Sequence, residues 1–173
     1  MSQRASTQAP LYSAAERQRR DRSPWTLVQG VLAPLQFLAF AVSLCLVLRY
    51  LYEGEGLAAA SASVLVKTAL LYAIMITGSL WEHDVYGKYL FAKPFFWEDV
   101  VSMLVIALHS AYVAALLCGW LSARALMLLA LAAYASYALN ATQFLLKFRA
   151  ARLASPARSA PPVSSVGVAG ALE

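Results

Sequence analysis

The sequence predicts an all-α integral membrane protein, a bundle of four transmembrane helices with both termini on the inner side. Three observations carry this. Of 173 residues, 61% are apolar and 13% charged, and the mean hydropathy is +0.61; a soluble domain is about 45–50% apolar and about 25% charged. Four runs reach the roughly 20 apolar residues that cross about 30 Å of hydrocarbon. Lysine and arginine gather between those runs on alternate sides. A water-soluble globular domain, a disordered chain and a nucleic-acid-binding module are excluded, and the net charge of +5 reflects membrane topology rather than an acidic partner.

Residues 1–22 form a polar, basic segment, with residues 1 to about 10 expected to be disordered. The segment lacks the short apolar stretch and small-residue cleavage site of a signal peptide, so the first apolar run is expected to stay in the protein. The membrane domain spans 23–153, with helices over about 25–51, 57–81, 99–121 and 123–148. Ser23-Pro24 offers an N-cap followed by proline at the first helical position. Glu53-Gly54-Glu55-Gly56 is a turn, and Ser122 can cap the fourth helix. The tail, 154–173, is rich in Ser, Pro, Ala and Gly and reads as disordered. Cys45 and Cys118, in apolar stretches without metal-ligand spacing, read as small buried apolar residues.

With the N-terminus inside, the inner face collects eleven basic residues: five arginines of the N-terminal segment, Lys88, Lys93, Lys147, Arg149, Arg152 and Arg158. The outer face holds only Arg49 and Arg124. That asymmetry gives an N-in, C-in topology, and it places Trp25, Trp81 and Trp97 at the inner ends of their helices.

Polar side chains inside a bilayer need a reason, so the few here are informative. Lys67 lies ten residues past Leu57, about 15 Å into its helix; His109 is at similar depth. Either is a functional candidate, although lysine can snorkel and histidine can simply bond a neighbouring helix. Gln29, Gln36, Asn140 and Gln143 occupy the inner half, as site residues or as packing glue. The loop between the second and third helices carries Glu82, His83 and Asp84 at one end and Glu98 and Asp99 at the other, among aromatic residues. Carboxyls at such a boundary are candidate proton donors, or simply acids favoured at a helix N-terminus. His83 reads as solvated. Glu98, Ser102, Val105 and His109 share one face of the third helix, the candidate lining of a pocket running from the interface into the bundle. These residues alone imply a small polytopic membrane protein with a polar inner pocket.

Specific strings go further. Leu11-Tyr12, Glu16 to Asp21, Ser23 to Phe37, Val66-Lys67-Thr68, Gly78 to Glu82, Tyr89 to Ala92, Phe95 to Val100 and Asn140 to Lys147 together resemble the 3-vinyl (bacterio)chlorophyllide hydratase family of phototrophic bacteria, over residues 11 to 153. The resemblance implies a hydro-lyase in the bacterial inner membrane that adds water to the 3-vinyl group of chlorophyllide a or 3-vinyl bacteriochlorophyllide, giving the 3-(1-hydroxyethyl) group. It implies no cofactor, since magnesium comes with the substrate; its partners would be that pigment, lipids and other enzymes of bacteriochlorophyll synthesis. Such a reaction needs an acid for the terminal vinyl carbon and a base for water. Glu98 is the candidate acid, with Glu82 or Asp99 orienting water. His109 is the candidate axial ligand to the substrate's magnesium or a second acid/base group. Lys67, Gln29, Gln36, Trp81, Trp97, Asn140 and Gln143 are the candidate substrate-binding residues, Lys67 towards the propionate. A non-catalytic pigment-binding or assembly factor fits the same pocket; a proton-coupled transporter fits less well, because paired inverted halves are missing.

Overall fold

In the computed structural model, which describes residues 11–154, five helices follow one another: α1 (Ala14–Arg22), α2 (Pro24–Glu53), α3 (Leu57–Tyr86), α4 (Phe96–Cys118) and α5 (Ala123–Ala154). The last four are long and apolar enough to cross a membrane. At about 1.5 Å per residue the 23 residues of α4 already give about 35 Å. The expected disordered ends fall largely outside the described residues.

The long helices pack as two hairpins, α2 with α3 and α4 with α5, and the hairpins meet through sparser α2–α5 and α3–α4 contacts. Their surface is inverted relative to a soluble protein. Leu27, Val31, Phe37, Leu38 and Leu145 point outward, whereas Gln36, Ser43, Lys67, Ser102 and His109 are buried. An apolar exterior costs nothing against lipid, while interior polar groups are shielded from it. A tight apolar core around Val47, Val64, Tyr112, Met127 and Ala130 fills the half of the bundle near the α2–α3 and α4–α5 turns. The opposite half, which we call the basic end, carries α1, the α3–α4 loop and the end of α5.

Several sequence expectations need correction. α3 does not stop at Trp81 but runs to Tyr86, because nothing breaks it before Gly87, which caps it in the left-handed conformation with φ 74°. Glu82, His83 and Asp84 therefore stand on the last helical turns rather than on a loop. α4 starts earlier, at Phe96, and ends at Cys118, where Gly119 takes the same left-handed cap at φ 65°. α5 continues past residue 148. Cys45 and Cys118 are not buried but exposed on the apolar outer surface of the bundle. Ser23 precedes α2 but makes no side-chain cap; its hydroxyl instead donates to Asp84 Oδ2 at 2.7 Å. Ser122 does cap α5, accepting from the Ala125 N–H.

Helix α1 was not foreseen within the basic segment. A capping box closes its start: the Ser13 hydroxyl accepts from the Glu16 N–H, and the Glu16 carboxylate accepts from the Ser13 N–H. That backbone N–H holds the Glu16 carboxyl below its ordinary range. α1 folds back onto α3, with Tyr12 stacked on Tyr86 at 6.2 Å and the Arg20 guanidinium 4.9 Å from the Tyr12 ring. Burial pushes the Tyr12 phenol up from its usual pKa.

Candidate functional site

Two groups of polar residues occupy the bundle. The first lies at the basic end, where the last turns of α3 meet the first turn of α4. Glu82, Glu98 and Asp99 are all buried there, at 4%, 7% and 6% exposure. The Glu82 carboxyl is close enough to interact electrostatically with the Asp99 carboxyl, and its Oε2 has no hydrogen-bond partner among the described residues. Asp99 Oδ2 accepts from the Phe91 N–H at 2.7 Å. Phe91 holds a left-handed backbone, φ 59°, which a bulky residue adopts only when its surroundings enforce it. Here the strained turn aims an N–H at the carboxyl pair.

Glu98 is engaged differently. Lys147 Nζ, from α5, donates to Glu98 Oε2 at 2.6 Å and to the Pro94 carbonyl. An aromatic wall encloses the group: Phe95, 1% exposed, packs against Trp81, Tyr86, Phe144 and Phe148, and the Lys147 ammonium lies 4.9 Å from its ring. α1 roofs the wall through Tyr12.

The second group lies deeper. His109 is fully buried; its Nδ1 donates to the Val105 carbonyl at 2.7 Å, leaving Nε2 without a protein partner. Lys67 is close enough to interact with it electrostatically, and its Nζ lies 3.8 Å from the centre of the Tyr137 ring. The Tyr134 hydroxyl bonds Ser43, and its ring sits 5.9 Å from His109. Between the two groups, Asn140 Nδ2 donates to Ser102 Oγ at 2.7 Å, while Asn140 Oδ1, Gln143 Oε1 and both amide atoms of Gln36 find no partner.

The face running from Glu98 through Ser102 and Val105 to His109 is buried as its spacing requires. Two clefts, of about 320 and 190 Å³, lie at the other end of the bundle, against Tyr50, Glu53 and Arg124 and against Leu57, Ala115 and Gly119. Gln29 ties α2 to α3: its Nε2 donates to Thr77 and to the Ile74 carbonyl. Trp81 donates from Nε1 to Thr26 and belongs to the aromatic wall, whereas Trp97, 70% exposed, faces outward beside Phe96. His83 is exposed and stacks on Tyr89 at 4.2 Å.

Sequence reasoning missed Lys147, taken only as a topology charge. Asn140, Gln143, Phe144 and Lys147 recur at i, i+3, i+4 and i+7, one face of a helix, so the signal was present. Tyr86, Phe95 and Tyr12 carried no such signal, since only the meeting of α1, α3 and α5 unites them.

Comparison with known proteins bears on this arrangement. The 2-vinyl bacteriochlorophyllide hydratase family model matches residues 12–150. A protein of Rhodobacter capsulatus named 2-vinyl bacteriochlorophyllide hydratase is 59% identical over 150 residues, covering 87% of each chain. One of the same name from Cereibacter sphaeroides is 62% identical over 144 residues, covering 83% of this chain and 89% of its own. No solved structure matches. The matched span takes in α1, α2 to α4, most of α5 and both polar groups, so the chain belongs to the 2-vinyl bacteriochlorophyllide hydratase family.

Proposed function

We propose that the protein hydrates the vinyl group of a bacteriochlorophyll precursor, chlorophyllide a or its 3-vinyl bacteriochlorophyllide counterpart, to the 1-hydroxyethyl group. It would do so in a bacterial inner membrane with both termini on the cytoplasmic side. The names of its relatives support the reaction, and the eleven basic residues at or beyond the inner ends of the apolar runs support the orientation.

The carboxyl pair Glu82–Asp99 is the observation that carries the chemistry. Buried side by side and interacting, the two carboxyls hold a proton between them, because ionising both would bring like charges together out of water. The protonated member donates to the terminal vinyl carbon, making it a methyl group. Positive charge develops on the adjacent carbon and spreads into the conjugated macrocycle. Water attacks that carbon, and the ionised member of the pair accepts the proton that water loses. Addition of water changes no net protonation, so the pair returns to its starting state.

Glu98, expected from sequence as the acid, is better suited to holding. Its carboxylate is bound to Lys147, which ties α4 and the α3–α4 loop to α5 beneath the pair. His109 Nε2, facing the interior with no protein partner, suits an axial bond to the substrate's magnesium. The macrocycle enters by parting the α3–α4 seam, the sparser contact between the two hairpins.

The test is conversion of chlorophyllide a by membranes carrying the protein, followed by the absorption change and the mass gain of one water. Formation of the hydroxyethyl product supports the reading. Pigment bound without turnover would instead indicate a carrier or assembly factor.

A further inference from the structure

Lys67 is fully buried, and its Nζ has no hydrogen-bond partner. No carboxylate among the described residues forms an ion pair with it. It lies about 15 Å from the start of a 30-residue helix, so snorkelling to either end is out of reach. What surrounds the ammonium is aromatic: the faces of Tyr137, at 3.8 Å, and Tyr134, at 5.8 Å. Ring faces offset only part of the cost of burying a cation, and a neutral amine would be equally short of hydrogen bonds here. Gln36 adds a buried amide with both polar atoms unpartnered, one turn before Phe40, whose ring packs on Tyr134 and Tyr137. The chain thus builds a cation and an amide into an apolar, aromatic interior, and among the described residues no anion meets them.

We propose that Lys67 is the receptor for a carboxylate carried on a large apolar body, and that it makes the protein select the free acid of its macrocyclic substrate over the ester. This rests on the tetrapyrrole reading above and assigns the residue that reads the propionate. Fifteen residues of α3, about 22 Å of rise, separate Lys67 from Glu82; the lysine side chain takes up part of that span. Vinyl and propionate project from different sides of the macrocycle. A pigment with its carboxylate on Lys67 therefore turns its vinyl group towards the carboxyl pair, with His109 between.

The experiment compares chlorophyllide a with its methyl ester in membranes carrying wild type, Lys67→Met and Lys67→Arg, reading both kcat/KM for hydration and binding by absorbance titration. Wild type should favour the acid at least about tenfold in both readouts. Lys67→Met should collapse the acid to the level of the ester, and Lys67→Arg should keep the preference. Equal binding of acid and ester by wild type overturns the inference, as does a preference that survives in Lys67→Met. Binding that discriminates acid from ester without any hydration would retain the carboxylate site and sink the hydratase reading, so the two failures are distinguishable.

Discussion

Replacing Glu98 or Lys147 separates holding from chemistry at the basic end. The side chains of Lys147 and Glu98 are 24% and 9% exposed, so their ion pair is largely desolvated. An exposed pair contributes about 0–1 kcal/mol, whereas breaking a buried pair by removing one partner costs about 3–5 kcal/mol. The partial exposure of Lys147 sets Lys147→Met between these limits, at about 2–3 kcal/mol. Glu98→Gln should cost less, about 1–2 kcal/mol, because the ammonium keeps the Pro94 carbonyl. The double variant should be less destabilised than the sum of the two, with a coupling of about 1–2 kcal/mol, since neither charge is then left alone. Reversible unfolding in mixed detergent micelles measures all three. If Glu98 holds rather than reacts, Glu98→Gln should keep hydration within about tenfold of wild type, short of the about 10²–10⁴ that a general acid contributes. A Glu98→Gln protein of undiminished stability that has lost hydration by such a factor would refute the reasoning and return Glu98 to the role of acid.

Other predictions follow from the same geometry. The Tyr72 and Ser110 hydroxyls meet at 2.7 Å across the α3–α4 seam. Cysteines at both positions, with Cys45 and Cys118 changed to Ser, should block conversion when joined by a cleavable thiol crosslinker that spans the length of the lost tyrosine ring, and regain it on cleavage; full activity while cross-linked would exclude this entry route. His109→Ala should abolish the spectral shift of axially ligated pigment while leaving Glu82 and Asp99 in place, and an unchanged spectrum would exclude His109 as ligand. Single cysteines at Ser13 and Glu55 should react from opposite sides of sealed vesicles, Ser13 from the cytoplasmic side; labelling from one side would contradict the topology.

Much of this molecule was legible in its sequence, for physical reasons. The four spans follow from apolar length, and the buried face from Glu98 to His109 follows from helical spacing, its residues meeting α5 through Asn140 and Lys147. Asn140 and Gln36, singled out in the sequence as polar residues within the spans, are buried, because an amide has nowhere else to go in hydrocarbon. Helix ends were less legible: apolarity marks where lipid stops, while α3 continues through Glu82 and Asp84 until Gly87 ends it. α1 was overlooked although Ser13 and Glu16 spell a capping box, because its nine residues are polar and depend on Tyr12 meeting Tyr86. The division of labour among the acids was out of reach for a related reason. Glu98 and Asp99 are neighbours in sequence, and only the tertiary fold sends one to Lys147 and the other to Glu82.

The central claim is that the Glu82–Asp99 pair moves the proton, and the rate of hydroxyethyl product formation by Asp99→Asn in membranes tests it most directly. With the protein shown to be folded by its thermal unfolding, the rate should fall by about 10²–10⁴, with pigment binding retained. Hydration by Asp99→Asn at close to the wild-type rate would contradict it.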